Sequence, residues 1–253
     1  MTDKKPYYIT TAIAYANGAP HIGHAYEFVV ADFMARFKRL SGHEVFFQTG
    51  MDEFGQKIAQ TAEKQGLSPQ ELCDRNAATF EDMTKNLCMS HDKFIRTTSK
   101  AHQESVQAIW KKLEANGDIY LDKYAGWYSV REEGYFDEKE LVTDPETGLK
   151  LTPNGTEVEW VEEESFFFRL SAYEERLLQY YEQSPQFIVP DTRRNEIVSF
   201  VKGGLRDLCV SRTNFNWGVP VPGHDAHVMY VWLDALSNYI SGLDYPDENK
   251  ERF

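Results

Sequence analysis

Tyr7-Tyr8-Ile9-Thr10-Thr11-Ala12-Ile13, then Tyr15-Ala16-Asn17-Gly18-Ala19-Pro20, then His21-Ile22-Gly23-His24 is the stretch on which the fold turns. The first run is β-branched and aromatic apart from one alanine, and reads as a buried strand. The second is rich in helix and strand breakers, and reads as a turn. From His24 the pattern becomes helical, with Phe28, Ala31, Phe33, Met34, Phe37 and Leu40 forming a broad apolar stripe. Ser41-Gly42-His43 stops the helix, and Glu44 to Gly50 reads as a second strand that ends at Met51-Asp52-Glu53-Phe54-Gly55. Strand, helix and strand in this order make a βαβ unit, and hence a parallel sheet with a right-handed crossover.

Working outward, a helix starts near Gln56 and closes at Gly66. Ser68-Pro69-Gln70-Glu71 is a capping box with proline at the first helical position, opening a helix that carries Phe80, Met83 and Leu87 inward. His91 to Thr97 reads as a short strand, and Ser99 to Ala115 as a helix ended by Asn116-Gly117. From Asp118 the texture changes to short strand-like runs broken by turn residues, then a longer strand from Val158 to Leu170. Two helices follow, one capped by Ser171-Ala172-Tyr173-Glu174 and one starting at Arg193. Val228-Met229-Tyr230-Val231-Trp232 reads as a strand returning to the main sheet.

The chain has 253 residues, 42% hydrophobic, and a formal net charge of −13. This suits a globular protein with a real core. It disfavours tight sequence-independent nucleic-acid binding, which depends on Lys and Arg neutralising phosphates, so DNA is not expected as a partner. No run of eighteen or more apolar residues suggests a membrane span, and no secretory signal is evident, so the expected address is cytoplasmic. Cys73, Cys88 and Cys209 are far apart with no C-x-x-C pair, and read as buried thiols in a reducing compartment.

Chemistry concentrates at the first strand-to-helix turn. Ligands of open α/β sheets bind at the carboxyl ends of the strands. A helix start offers free N–H groups and a positive dipole end to phosphate. Gly18 and Gly23 leave room for a nucleotide, while His21 and His24, one helical turn apart, can both donate to phosphate oxygens. Such a site needs no base when the nucleophile is already a carboxylate attacking the α-phosphate of ATP; held donors only have to meet the charge that builds up. In an arbitrary sequence two histidines beside a glycine are more often surface or core residues. The βαβ placement and the preceding turn point the other way.

His21-Ile22-Gly23-His24 is, letter for letter, the HIGH signature of class I aminoacyl-tRNA synthetases. Ala14 through His24, Thr49-Gly50-Met51-Asp52-Glu53-Phe54-Gly55-Gln56-Lys57-Ile58 and Tyr230-Val231-Trp232-Leu233-Asp234-Ala235-Leu236 resemble the methionine-specific members, in the right order. The resemblance implies a doubly wound α/β nucleotide-binding domain interrupted by an α+β connective insert. Residues 1–117 would form the first half, 118–225 the insert and 226–253 the start of the second half.

It also implies activation of methionine to methionyl-adenylate with ATP and Mg2+, and transfer to tRNA(Met). ATP would be met by Asn17, Gly18, His21, Gly23 and His24, with His21 and His24 catalytic. Asp52 would hold the α-ammonium of methionine. Ala12, Ile13, Tyr15, Trp232, Ala235, Leu236 and Tyr239 would line the side-chain pocket, whose aromatic character suits a thioether. Phe54 stands where the family usually has His, and Leu236 where Pro is frequent.

Ser129 and Glu132 occupy the places of the first cysteine pair of the zinc knuckle carried by many relatives, so no structural zinc is expected. The second signature, K-M-S-K-S, and the anticodon-reading domain are absent from these residues, and most tRNA contacts are expected outside them. Three rival readings share some of these features: a leucine-specific or other apolar-specific synthetase, a small nucleotidyltransferase using H-x-G-H, and a non-catalytic relic that binds amino acid or tRNA.

Overall fold

The computed structural model describes residues 5–132, 134–145, 147–247 and 253. The first part runs β1 (Pro6–Thr10), β2 (Ala14–Tyr15), α1 (Ile22–Leu40), β3 (Glu44–Asp52), α2 (Gln56–Lys64), α3 (Pro69–Asn86), β4 (Lys93–Arg96) and α4 (Lys100–Ala115). All four strands are parallel. β3 is central: β4 lies along one edge, and β1 continued by β2 lies along the other. The mixed α/β architecture with a parallel sheet is the one expected from the sequence.

The run Tyr7–Ile13 is not one strand. Thr10 pairs with Gln48 but Ala14 pairs with Met51, so four steps on one side match three on the other. The extra residue is a bulge, and it turns Ala12 outward, where its N–H donates to Glu27 Oε1 at 2.7 Å.

The stripe expected on α1 is also narrower than it reads. Only Phe28, Ala31, Asp32 and Ala35 are buried, whereas Phe33, Met34, Phe37 and Leu40 are exposed. Two alanines let the helix lie close to Phe47, Ile9 and Val45. A buried acid takes the fourth place: Asp32 accepts from the Ser90 N–H and hydroxyl, each at 2.6 Å, and pairs with Arg36 at 2.6 Å. Those bonds keep its carboxyl below the usual range despite partial burial. On α3, Phe80 is buried as expected, while Leu87 at the C-cap is exposed. The Ser68–Glu71 capping box forms with Pro69 in the first turn.

The middle of the chain builds a second, antiparallel sheet. It contains β5 (Ile119–Ser129), β6 (Gly134–Phe136), β7 (Val142–Thr143), β8 (Lys150–Leu151) and β9 (Glu159–Phe168), then α5 (Glu174–Gln183), α6 (Asp191–Lys202) and β10 (Leu208–Cys209). The order is β10-β9-β5-β6, with β7 and β8 paired separately. Ser171 does not cap α5; its hydroxyl donates to Asp207 at 2.5 Å.

The chain then closes through β11 (Ser211–Arg212), β12 (Val228–Met229), α7 (Val231–Leu236) and α8 (Asn238–Ser241). The strand expected at 228–232 is corrected here. β12 is two residues long, pairs with β11 rather than the main sheet, and hands over directly to α7. A short apolar run does not reveal its own period. On the helix that takes its place, Asp234 is wholly buried and meets His102 Nε2 at 2.7 Å.

One core lies between the sheet and α1–α3, joining Ala14, Met51, Ile58, Leu72 and Phe80. Another joins α4 to the antiparallel sheet and β12 through Val106, Trp110, Phe166 and Met229, with Leu233 of α7 packed against it. α8 lies over the sheet: Gln48 Nε2 donates to Asn238 Oδ1 at 2.9 Å, and a Cβ on Gly242 would fall 1.4 Å from Gln48 Oε1. Cys73 and Cys209 are buried, but Cys88, expected to be buried, is exposed. It follows the C-cap of α3 with φ 51°, and its carbonyl accepts from Arg36.

Candidate active site

The carboxyl ends of β2 and β3 and the N-terminus of α1 meet at one place. Tyr15 and Asp52 are register partners across β2 and β3, and the Ala16 N–H donates to the Asp52 carbonyl at 2.8 Å. Asn76 of α3 reaches over and donates to the Ala16 carbonyl at 2.8 Å, fixing the turn that carries Asn17 and Gly18. Gly18 has open space around it; Asn17 is exposed.

His21 is the N-cap of α1. Its Nδ1 accepts from the Gly23 N–H at 3.1 Å, while the His21 N–H donates to His24 Nδ1 at 3.2 Å. The two rings stack at 3.8 Å between centroids, and His24 meets the Phe80 ring edge-on at 4.9 Å. This arrangement fixes the tautomers. With both Nδ1 atoms accepting backbone N–H groups, the proton of each neutral imidazole sits on Nε2 as a donor. Partial burial and the neighbouring His21 hold His24 below its ordinary value, against the pull of Glu27, so the neutral form is favoured. The first turn of α1 contains no acidic residue to oppose an anion. Gly23 has a further role that the sequence reading did not give it: a Cβ there would lie 2.9 Å from His21 Cε1, so glycine is what allows the imidazole to fold over the helix start.

Asp52 is buried at the end of β3. Its neighbour Glu53 is fully buried and anchors the strand end. Its carboxylate takes Arg96 Nε at 2.7 Å and the Thr98 hydroxyl, its N–H donates to Thr97 Oγ1 at 2.9 Å, and its carbonyl accepts the Trp217 indole N–H at 2.7 Å. Arg96 also holds Asp74 at 2.7 Å. Trp217 packs on Phe54 at 5.3 Å, and its carbonyl accepts from the Gly55 N–H at 3.2 Å, clasping the strand end. Sequence reasoning singled out neither Arg96 nor Trp217. Their separations from Glu53, 43 and 164 residues, leave no local pattern to find them by.

Of the remaining candidates, Ala12 is exposed and Ile13 half-buried beside the bulge. Tyr239 is half-buried, and its carbonyl accepts the Tyr8 hydroxyl at 2.8 Å, which ties it to β1. Ala235 is half-buried on α7. Trp232 and Leu236 open onto an apolar cavity of about 350 Å³ that they share with Ile109, Leu113, Phe168 and Val210. Ala12, Ile13, Tyr15 and Asp52 do not line that cavity.

At the end of β5, Ser129 and Glu132 form a knot with three further residues. Glu132 takes Thr156 Oγ1 at 2.5 Å, Asn154 Nδ2 at 3.0 Å and the Thr152 hydroxyl, and Ser129 Oγ lies 3.1 Å from Thr156 Oγ1. Those hydroxyl and amide donors hold the Glu132 carboxyl below the usual range. Among the described residues, no helix is long and apolar enough to cross a membrane.

Residues 7–253 match the family model described as tRNA synthetases class I (M). The chain is 58% identical over 250 residues to a methionine–tRNA ligase of Mesorhizobium japonicum, covering 99% of this chain and 48% of that protein. It is 54% identical over 250 residues to one of Mycobacterium tuberculosis, again covering 48% of it. Among solved structures, Mycobacterium tuberculosis methionyl-tRNA synthetase in complex with methionyl-adenylate matches with a TM-score of 0.93 at 54% identity, covering 98% of this chain and 49% of that one. The apo form of the same enzyme matches with a TM-score of 0.81. The chain spans about half the length of the curated relatives it matches. With that family model matched over nearly the whole chain and the parallel sheet in place, this chain belongs to the methionyl family of class I tRNA synthetases.

Proposed function

We propose that the protein activates methionine with ATP to methionyl-adenylate and transfers it to tRNA(Met), and that residues 1–253 supply the first catalytic signature and part of the amino-acid pocket. The observation that carries this is the N-terminus of α1, where two stacked imidazoles present Nε2–H donors beside the strand end that carries Asp52. The methionine carboxylate attacks the α-phosphorus of ATP, an O–P bond forms, and the bond to the pyrophosphate oxygen breaks. His21 and His24 donate to phosphate oxygens as charge builds on them. Asn17, Gly18 and Gly23 shape the approach, and Asp52 accepts from the methionine ammonium. On this reading Ala12, Ile13, Tyr15, Trp232, Ala235, Leu236 and Tyr239 come together around the thioether when methionine binds, although in this structure only Trp232 and Leu236 of the seven line the apolar cavity.

Magnesium accompanies the ATP, coordinated largely by its phosphate oxygens and water. On this reading residues 1–117 and 226–253 belong to the nucleotide-binding domain and 118–225 to the insert, most tRNA contacts lie outside this chain, and the address is cytoplasmic. The insert needs no zinc: hydroxyls and one carboxylate of the Glu132 knot replace the thiolate and imidazole donors that zinc prefers. Emission spectroscopy of the purified protein should find zinc far below one atom per chain; a stoichiometric content would overturn the assignment.

Calorimetric titration of the full-length protein with methionine, leucine, isoleucine, valine and cysteine tests the function. Selective binding of methionine, with methionine-dependent pyrophosphate exchange, is the expected result. Preference for leucine would keep the class and replace the substrate. Binding without exchange would mark a non-catalytic relic.

A further inference from the structure

α7 is six residues long, and no side chain caps its N-terminus. A helix this short is not stable by itself, so its place and its rotation must come from tertiary bonds. One imidazole supplies a bond to α7 and another to the adjoining α8. His102, in the first turn of α4, has Nε2 2.7 Å from Asp234 Oδ1 of α7 and Nδ1 2.7 Å from Ser241 Oγ of α8. All three residues are buried. A neutral imidazole serves both, with Nε2–H donating to the carboxylate and Nδ1 accepting from the hydroxyl. Asp234 Oδ2 has no hydrogen-bond partner among the described residues, so the grip on this carboxylate runs through His102. Burial, with a smaller push from Glu53, raises the Asp234 carboxyl above the usual range, and His102 opposes that rise.

The angular consequence follows from helix geometry. Residues advance by roughly 100° each, so Trp232 and Leu236 lie roughly half a turn away from Asp234. Drawing Asp234 inward therefore turns Trp232 and Leu236 outward, and they are 50% and 55% exposed, at the mouth of the apolar cavity. An apolar residue at 234 could be buried at several rotations, whereas a hydrogen bond has a direction.

We propose that His102 is a positioning residue for amino-acid recognition: by holding Asp234 it sets the rotation of α7 and so the presentation of Trp232 and Leu236 to the amino-acid side chain. The inference rests on the proposed function, in which those two residues line the methionine pocket.

The test uses the full-length protein with His102→Ala, His102→Gln, Asp234→Ala, Asp234→Asn and, separately, Trp232→Ala. Active sites are counted by the adenylate burst, and KM values for methionine and ATP are taken from pyrophosphate exchange. His102→Ala and Asp234→Ala should each raise the methionine KM about tenfold or more while the ATP KM stays within about twofold. Asp234→Asn still accepts from Nε2–H, and should recover at least about fivefold of the loss seen in Asp234→Ala.

Fewer active sites with both KM values unchanged would show a purely structural role and overturn the proposal. So would equal rises in both KM values. If His102→Ala does not fold, His102→Gln and the two Asp234 variants decide, and Asp234→Asn no better than Asp234→Ala overturns it. Trp232→Ala separates the inference from the reading beneath it. An unchanged methionine KM in that variant removes Trp232 from the pocket; a raised one beside an unaffected His102→Ala removes only the positioning role.

Discussion

His24→Ala in the full-length protein should slow adenylate formation about 100- to 1,000-fold, the loss typical of one preorganised donor to a developing oxyanion. Methionine affinity should stay within about twofold. The bond from His24 Nε2–H strengthens as charge moves onto the phosphates, so its removal costs more in the transition state than in the ground state. The variant also loses the acceptor for the His21 N–H, which solvent replaces at this exposed helix start. Rapid-quench measurement of adenylate, beside calorimetry with methionine, checks both halves; equal losses in rate and affinity would remove His24 from the transition state.

The same geometry gives a direction with pH. The His24 pKa lies lower in the fold than its ordinary value of 6.5, so the neutral, capping form is favoured above that value. Its contribution to stability is present there and is lost as pH falls through the unfolded value, because burial and the neighbouring His21 disfavour the protonated ring in the fold.

Asp52→Ala should do the reverse, weakening methionine about 30- to 1,000-fold while ATP affinity stays nearly constant. Truncating one partner of a desolvated, charge-assisted pair costs roughly 2–4 kcal/mol, which is that range of affinity. Asp52 is buried, and the strand end beneath it is locked by Glu53, whose bonds to Arg96, Thr97, Thr98 and Trp217 hold the backbone in place. Asp52→Asn keeps the shape and removes only the charge, and should recover only part of the loss. Calorimetric titration of each variant with methionine settles the point, since an unchanged affinity would take Asp52 out of the ammonium site.

Local physics made the first fifty-odd residues legible. A β-branched run, a breaker turn, a helix and a second strand define a βαβ unit whatever surrounds them, and the box at Ser68 and Glu71 is a four-residue pattern that closes on itself. The imidazoles of His21 and His24 lie within one turn, so their meeting is likewise local.

Tertiary structure decided what depends on partners far along the chain. The bulge after Thr10 follows from the register against β3. The face that α1 buries follows from Asp32 finding Ser90, 58 residues away. Residues 231–236 form a helix whose Asp234 is met by His102, 132 residues earlier. A buried carboxylate costs several kcal/mol without a partner, and neither hydrophobic period nor residue propensity records where that partner will come from. The sequence by itself determined the βαβ unit and the turn that brings His21 and His24 together; which way α7 faces was left to contacts that exist only once the chain has closed on itself.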